Sequence, residues 1–368
     1  MATITDLRPS GAGAWSQCAL YVTLSAAYRA MLESDNNDVR EDGTACHWLA
    51  HERSLGVEHS IGEMSPNGRE LTEEMFDAVD LYFETLSEYP DIVYQFEQPA
   101  DCSVIYPQMS GTPDVWGYRP NLLRVGDLKY GFRYVEVFRN PQLSIYALAV
   151  ATALNLPDEC EVELFICQPR TQTKEGPVRK WRTTVGEIRQ FGLLLRAAAY
   201  RAMSPNPCAT VGTWCVECEG RIACDSFMHT TNAMIDFASN GYHTNPTLPQ
   251  VDKELVFVTD AIEMLQARQS ALEVVLERHL KKGGSAKYHQ ITRSKGRERW
   301  AEGCDKIALT LASELFKVSI ARPITPAQAR KKIPSVLVDS LTVRGEGSLK
   351  VSRIGKHDVE KAFSNKGK

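Results

Sequence analysis

The chain of 368 residues is 43% apolar and 24% charged, with a formal net charge of -4, which excludes a wholly disordered protein. Its apolar stretches fall short of the roughly 18 to 20 residues that a membrane span needs, and it lacks a secretory pattern, so we expect a cytoplasmic protein without a membrane partner. Ten cysteines in such a chain predict thiols or metal ligands, not disulfides.

Charge divides the chain into two parts. Residues 1–250 hold 19 basic and 32 acidic side chains, whereas residues 251–368 hold 23 basic and 14 acidic ones. An acidic part suits divalent cations, and a basic part suits a polyanion such as DNA, although a solvated charged surface explains the basic part equally well. We predict a domain over residues 1–230, a linker over 231–250 and a mainly helical basic domain over 251–368.

Helical and strand patterns alternate along the chain and predict an α/β core. Three helices precede a group of short β-rich segments, and a helix, a strand and a further helix follow. Predicted helices cover residues 10–32, 42–56, 70–89, 140–154, 184–203 and 254–282. Predicted strands cover residues 92–100, 102–107, 111–119, 121–130 and 160–169.

Residues 111–131, GTPDVWGYRPNLLRVGDLKYG, place Asp114, Asp127 and Lys129 on neighbouring predicted strands. Residues two apart on a strand face the same side, so one cleft can receive all three side chains. Mg²⁺ or Mn²⁺ prefers carboxylate oxygens and activates water, and Lys129 would orient or deprotonate that water and stabilise an oxyanion. An exposed ion pair at a strand end is the alternative interpretation.

Three further side chains complete an ordered pattern. His47 falls on an early predicted helix, and Gln142 and Tyr146 stand four residues apart on one face of a later helix. Separately, they could be a core histidine and a polar helix edge. Together with G-x-x-D and D-x-K, the pattern resembles the RecB-like branch of the PD-(D/E)XK nuclease superfamily. His51 gives an H-x-x-x-H spacing, but the absence of H-E-x-x-H argues against a metalloprotease.

The resemblance implies a restriction-endonuclease-like core, with a mixed central sheet flanked by helices. It also implies a role for each motif residue in metal binding, in catalysis or in DNA contact. The implied metal ligands are His47, Asp114, Asp127 and the carbonyl of Leu128. The implied catalytic or supporting residues are Lys129, Asp127, Asp114, Gln142 and Tyr146.

Cys215, Cys218 and Cys224 have the C-x₂-C-x₅-C spacing of metal ligands. The resemblance to AddB-type and CRISPR-adaptation nucleases implies that Cys18 completes a [4Fe-4S] cluster, which ties the N-terminal helix to the end of the nuclease domain. The alternative is a structural Zn²⁺ site with His229 as the fourth ligand. We expect the remaining cysteines to be buried or incidental thiols: Cys46, Cys102, Cys160, Cys167, Cys208 and Cys304.

These motifs also resemble a phage and prophage nuclease family over roughly residues 8–230, and more loosely into the tail. The resemblance implies a metal-dependent DNA exonuclease that resects ends in phage-type recombination or replication, in the cytoplasm of a bacterial host. Further partners to be expected are a single-strand annealing protein and a second copy of the chain. The alternatives are a non-catalytic DNA-binding or assembly module on a nuclease fold, and an RNA nuclease.

A short basic segment of the tail is a candidate DNA contact. Its cations can contact phosphates, and its tryptophan can stack on a base of single-stranded DNA. An ordinary exposed hairpin is the alternative interpretation. The candidate residues are Arg293, Lys295, Arg297, Arg299 and Trp300.

Overall fold

The computed structural model describes residues 6–32, 38–171, 175–240, 247–301, 304, 326–330 and 334–353. The chain groups into two compact units that divide between Leu272 and Glu273. None of the helices within the described residues combines the length and hydropathy that a membrane span requires.

A mixed five-stranded sheet organises the first unit. In chain order the strands of this unit are β1 (Val93–Phe96), β2 (Ala100–Asp101), β3 (Ser110–Gly111), β4 (Val115–Arg119), β5 (Leu122–Leu128), β6 (Glu161–Cys167) and β7 (Val178–Thr184). The sheet has the order β1, β4, β5, β6, β7, while β2 and β3 form a separate ribbon. The pair β5 and β6 is parallel, and the other neighbours in the sheet are antiparallel.

The described residues up to 281 also contain eight α-helices, some of which pack against this sheet and some against the region of Cys215 and Cys224. In chain order they are α1 (Ala12–Trp15), α2 (Tyr21–Leu32), α3 (Asp38–Ser54), α4 (Glu73–Ser87), α5 (Pro141–Ala153), α6 (Val185–Ala202), α7 (Asp225–Asn240) and α8 (Leu248–Lys281). Three of them begin at a side-chain cap, where Thr72, Asn140 and Thr184 each accept a hydrogen bond from a backbone amide three residues ahead. Such caps satisfy amides that the first helical turn leaves free, so the sequence fixes where these helices start.

Alternating side chains of the central strands fill two cores. Leu123 and Val125 of β5 join the core that α5 and α6 cover. Leu128 of β5 and Phe165 of β6 join a second core, which α3 and α4 cover. Strand β5 is buried along its whole length, as expected for a strand that is covered on both faces. The predicted α/β class, with a mixed sheet flanked by helices, is confirmed.

A buried ionic network ties three strands together. Arg124 on β5 is fully buried, and its Nε donates to Oε1 of Glu163 on β6 at 2.9 Å. Arg182 on β7 donates from Nε to Oε2 of the same carboxylate, also at 2.9 Å. Both oxygens of Glu163 therefore have a cationic partner, as a buried carboxylate requires.

The first predicted helix is interrupted. It was expected to run over residues 10–32, but α1 ends at Trp15 and α2 starts at Tyr21. Between them the amide of Leu20 donates to the carbonyl of Cys208, far along the chain. This long-range bond replaces a helical one, so Cys18 lies in the break between two helices and not within a helix.

Two further segments differ from the prediction. Residues 102–107 were predicted as a strand, but they form turns because Asp101 accepts the amide of Ser103 at 2.9 Å. The predicted linker starts at residue 231, where the structure has α7, and the first compact unit extends to Leu272. Strand β7 was not predicted, because its alternating charged residues hide the strand pattern.

The second unit contains a long antiparallel hairpin. Its described elements are β8 (His289–Trp300), α9 (Pro326–Ala329), α10 (Ser335–Ser340) and β9 (Thr342–Arg353). Strands β8 and β9 pair with two register shifts. This unit therefore adds a hairpin to the helical structure that was predicted for the basic region.

Candidate active site

Three strand ends bring acidic side chains to one edge of the sheet. Glu97 follows the last residue of β1, Asp114 precedes the first residue of β4, and Asp127 is the next-to-last residue of β5. Because β4 is antiparallel to both neighbours, the end of β1, the start of β4 and the end of β5 share that edge. Asp114 was predicted within a strand and instead lies just before one, where its direction is less constrained.

His47 and two of these carboxylates form a compact group. His47 lies on α3, as predicted, and its Nδ1 is 3.5 Å from Oδ2 of Asp114. One possible ligand atom each from His47, Glu97 and Asp114 lies within 4.8 Å of the other two. The sequence prediction missed Glu97 because it belongs to no recognised spacing. Its acidic side chain within the strand predicted at residues 92–100 was the signal that could have revealed it.

Backbone contacts hold Asp114 in place. Its Oδ2 accepts the amide of Leu128 at 2.7 Å, and its carbonyl accepts the amide of Glu97 at 3.2 Å. Glu97 has a φ of 49°, a left-handed conformation that residues other than glycine seldom adopt. Leu128 therefore contacts Asp114 through its backbone amide, and this hydrogen bond orients the Asp114 carboxylate as a candidate metal ligand.

Asp127 and Lys129 form an ion pair, and one oxygen of the buried Asp127 carboxylate has no hydrogen-bond partner in the described residues. The Lys129 Nζ donates to Oδ1 of Asp127 at 2.9 Å, and the Gln142 Nε2 donates to the same oxygen at 3.3 Å. The Asp127 side chain is only 4% exposed. Its Oδ2 is buried and has no hydrogen-bond partner within the described part of the chain. A buried carboxylate oxygen without a partner carries a large desolvation penalty, so it indicates a position where a ligand binds.

The electrostatics of the site point in the same direction. Burial, followed by the nearby Asp114 carboxylate, raises the pKa of Glu97 to about 7. Burial also raises the pKa of Asp127, against the opposing effect of Lys129. Burial opposes the charge of Lys129, but the carboxylates of Asp127 and Asp114 outweigh it and raise its pKa. The edge therefore holds crowded carboxylates whose repulsion a divalent cation would relieve.

The Tyr146 ring packs so closely against Gly111 of the G-x-x-D motif that position 111 requires a glycine. A Cβ atom on Gly111 would lie 2.8 Å from Cε1 of Tyr146 and 2.7 Å from Cγ of Pro9. A side chain at position 111 would therefore displace the tyrosine ring. Burial and the Asp114 charge raise the pKa of Tyr146, so the buried phenol stays neutral. The structure thus brings Tyr146 beside the motif with which the sequence grouped it.

Two polar groups near His47 were not predicted to belong to the site. His51 and Tyr82 line a small cavity together with His47, Glu97 and Asp114. The Nδ1 of His51 and the hydroxyl of Tyr82 are buried without a partner in the described residues. The four-residue spacing of the two histidines was the available signal, and it places both on one face of α3.

The four cysteines of the predicted cluster surround one small cavity. Cys18, Cys215, Cys218 and Cys224 all line it, and each is less than 10% exposed. The amide of Thr210 approaches Sγ of Cys18 at 3.4 Å. The structure therefore brings Cys18 to the other three across almost the whole length of the first unit.

The positions of Cys18 and His229 relative to the cysteine cavity distinguish these two candidates for the fourth ligand. His229 is exposed on α7 and does not line the cavity, whereas Cys18 does. Within the described residues, no three of the cysteine sulfurs lie within 4.8 Å of one another. Burial, with the other thiols contributing, raises the pKa of Cys215 to about 11, so this thiol holds its proton when no metal is bound.

The other thiols line neither of these two cavities, and most side chains of the tail candidates lie outside the described residues. Four of the remaining cysteines are buried, Cys208 is exposed and Cys304 is half-buried. Trp300 is partly exposed at the end of β8. Four of the tail candidates contribute backbone to β8, but their side chains lie outside the described residues: Arg293, Lys295, Arg297 and Arg299.

The fold and the site define a class: an α/β protein in which one edge of a mixed sheet gathers a histidine, three carboxylates and a lysine. The chain belongs to the family described as "Protein of unknown function (DUF2800)", whose model matches residues 5–350. That match includes the motif residues, the four cysteines and the basic hairpin. No curated protein matches the chain.

Proposed function

We propose that the chain is a divalent-cation-dependent deoxyribonuclease with a RecB-like PD-(D/E)XK core. The observation that carries the proposal is the buried Oδ2 of Asp127, which has no hydrogen-bond partner among the described residues, beside the cation Lys129. The nearby group of His47, Glu97 and Asp114 supports the same reading. A structural ion pair would have both carboxylate oxygens bonded, so the free oxygen supports a ligand role.

The donor set fits Mg²⁺ or Mn²⁺, because carboxylate oxygens dominate it and one imidazole is present. The residues that would hold the cation are His47, Glu97, Asp114 and Asp127, with the Leu128 carbonyl as the further ligand implied by the resemblance. A bound cation supplies a Lewis acid for the phosphate and makes a water molecule more acidic.

Lys129 is the catalytic cation of the proposal. Its raised pKa keeps it protonated at neutral pH, so it donates hydrogen bonds and does not accept a proton. This supports an orienting and charge-stabilising role more than a role as base. The Gln142 Oε1 is 3.5 Å from the Lys129 Nζ, while its Nε2 bonds to Asp127, so Gln142 positions both groups.

The proposed reaction is hydrolysis of a DNA phosphodiester bond. A water oxygen bonds to phosphorus, the bond to the 3′ oxygen breaks, and that oxygen takes up a proton. The products are a 3′-hydroxyl and a 5′-phosphate. Exonucleolytic end resection in phage-type recombination or replication is the role that the resemblance supports.

The test uses purified full-length protein with end-labelled single-stranded DNA, double-stranded DNA and RNA of the same sequence. We expect DNA cleavage with Mn²⁺ or Mg²⁺, none with EDTA, and fragments that carry 5′-phosphates. Cleavage that persists in EDTA would contradict the proposal. DNA binding without any cleavage would favour the assembly module, and faster cleavage of RNA would favour an RNA nuclease.

We also propose that the four cysteines hold a [4Fe-4S] cluster. A single zinc ion, with Zn–S bonds of about 2.3 Å, requires sulfurs about 3.8 Å apart in a tetrahedral site. The wider spacing of these sulfurs supports a larger group, and the exposed position of His229 argues against the local zinc site. The cluster would join the break after α1 to the turns at residues 213–223.

Anaerobic purification tests this assignment. We expect brown protein with broad absorbance near roughly 400 nm and about four iron atoms per chain. Cys18→Ser should lose this absorbance, whereas the matched substitution Cys208→Ser, at an exposed thiol, should keep it. Stoichiometric zinc that survives Cys18→Ser but is lost in His229→Ala would establish the alternative.

A further inference from the structure

A second cavity lies beside the candidate active site. Its volume is about 350 Å³, within the range of small-ligand pockets. We propose that it binds a phosphate-terminated nucleotide at the end of the strand being cut, an inference that rests on the proposed nuclease function. The polar residues that line it are Arg8, Ser10, Gln108, Ser110 and Thr112, with Tyr146 as a wall.

The N-terminal wall of the cavity is firmly anchored. Leu7 and Pro9 are buried, while the alternate residues Arg8 and Ser10 are exposed and line the cavity. The indole nitrogen of Trp15 donates to the Arg8 carbonyl at 2.8 Å. Burial of every second residue thus fixes the direction in which the other two side chains extend.

The opposite wall is equally constrained. Strand β3 pairs with β2, so that Ser110 stands opposite Asp101, and the amide of Cys102 donates to the carbonyl of Met109 at 2.9 Å. Gln108, at the turn before β3, has a φ of 63°. The hydroxyl of Ser110 and the amide of Gln108 are therefore presented by a closed ribbon and not by a loose loop.

One wall of the cavity leads directly along the chain to the candidate active site. Thr112 is two residues before Asp114, so their Cα atoms are at most about 7 Å apart. This distance corresponds to about two steps of a nucleic-acid strand at 3.4 Å each. Tyr146 borders the cavity and also packs against Gly111 of the G-x-x-D motif. A strand with its cleaved phosphate near Asp114 would therefore place its adjacent end in the cavity.

The lining chemistry identifies the ligand class. Arg8 is the charged residue among those that line the cavity, and hydroxyl and amide groups accompany it. A guanidinium with hydroxyl donors suits a phosphate and a sugar, which are the parts of a nucleotide common to all sequences. The lining residues include no carboxylate that would repel an anion. We therefore expect recognition of the phosphate without selection for a base.

Titration calorimetry with full-length protein in EDTA tests the cavity without any cleavage. The probes are deoxyadenosine, its 5′-monophosphate and its 3′-monophosphate. We expect one monophosphate to bind at least about tenfold more tightly than the nucleoside, and its identity to show which strand end the cavity accepts. Equal affinity for the nucleoside and both monophosphates would overturn the inference.

Variants connect that binding to the named residues. Arg8→Gln should remove the preference for the monophosphate, and Ser110→Trp or Thr112→Trp should block binding of all three probes. Arg119→Gln is the matched control, because it removes one exposed arginine at the far end of β4. Affinities unchanged by Arg8→Gln would overturn the inference, provided that the thermal midpoints of the variants match the wild type.

Cleavage assays separate the failure of this inference from the failure of the proposed function. On strands with or without a terminal phosphate, Arg8→Gln should lower the preference for one phosphorylated end by about tenfold while cleavage persists. If wild type and Arg8→Gln both cleave DNA and show the same preference for a phosphorylated end, the cavity assignment is overturned and the nuclease function is not. Arg8-dependent binding of a monophosphate in a protein that cleaves nothing overturns the nuclease function only.

Discussion

Two ion pairs at strand β5 differ in how completely their carboxylates are bonded. Arg124 pairs with Glu163, its direct register partner on β6, and both carboxylate oxygens of Glu163 have cationic partners. Lys129 pairs with Asp127, but Oδ2 of Asp127 has no partner in the described residues. Both oxygens of the Glu163 carboxylate are bonded, whereas the Asp127 carboxylate leaves one acceptor available.

This difference separates a structural role from a functional one. A buried carboxylate with both oxygens bonded to cations of neighbouring strands fixes register and stabilises the sheet. An incompletely bonded carboxylate beside other carboxylates destabilises the fold unless a cation binds, so its presence indicates selection for binding. The four predictions below test this comparison.

The largest effect is expected for Asp127→Asn. The substitution keeps the shape of the side chain but removes the charge that would hold the cation, so cleavage should fall about a thousandfold or more. Thermal stability without cations should be unchanged or higher, because a buried charge is lost. Single-turnover assays and thermal melts measure both. Asp158→Asn, at an exposed ion pair, is the matched control, and equal activity of the two variants would refute the assignment.

Glu163→Gln should have the opposite effect: the protein should lose stability but keep its rate of cleavage. The change removes the buried counter-charge of Arg124 and leaves it the exposed Glu88 carboxylate at 3.5 Å, so the free energy of unfolding should fall by about 3 to 5 kcal/mol. Cleavage per folded molecule should be retained, since the pair lies away from the site edge. Denaturant melts and active-site titration distinguish the two quantities. A specific loss of cleavage with normal stability would show that the two pairs do not divide the roles as we infer.

The raised pKa of Glu97 predicts how pH affects cation binding. Without cations, the folded protein keeps the Glu97 proton up to about pH 7, so the stability from this group is complete below about pH 4.5 and is lost as pH rises towards 7. A cation must displace this proton, so the affinity for Mn²⁺ should increase up to about tenfold per pH unit below pH 7. Thermal shifts with Mn²⁺ from pH 5.5 to 8 measure this, and Glu97→Gln should flatten the dependence.

The smallest effect is expected for Gln142→Ala. Gln142 contacts both members of the Asp127 and Lys129 pair without supplying charge. Its loss should misplace Lys129 and reduce the rate of cleavage by about tenfold, with little change in stability. Ser144→Ala, at the buried neighbour on the same helix, provides the control. A loss as great as that for Asp127→Asn would mean that Gln142 has a direct chemical role.

The sequence predicted the residues whose position follows from local pattern. Asp127, Lys129, Gln142 and His47 lie where strand and helix periodicity places them, because each is fixed by its own element. Glu97 was missed because it joins the site only through the pairing of β1 with β4, which no local pattern encodes. The pairing of two strands, and not the local secondary-structure propensity, therefore places Glu97 in the site.

In the cysteine region, too, local sequence patterns predict only part of the candidate site. The spacing of Cys215, Cys218 and Cys224 could be read locally, whereas the position of Cys18 depends on a bond between Leu20 and Cys208 that interrupts a helix. The approach of α2 to the cysteine turn also depends on Gly220, where a Cβ atom would lie 2.7 Å from the carbonyl of Leu24. Such contacts appear only when distant segments pack.

The location of the candidate ligands of the divalent cation at one edge of the sheet leaves the opposite edge available for engineering. Helix α5 begins beside Gln142 and extends for 13 residues, about 20 Å, away from that edge. The turn after it is exposed and contains Asn155, whose φ is 50°. A peptide tag inserted there would tether the protein to a bead or a surface while the ligand edge faces solution, as single-molecule measurements of strand cleavage require.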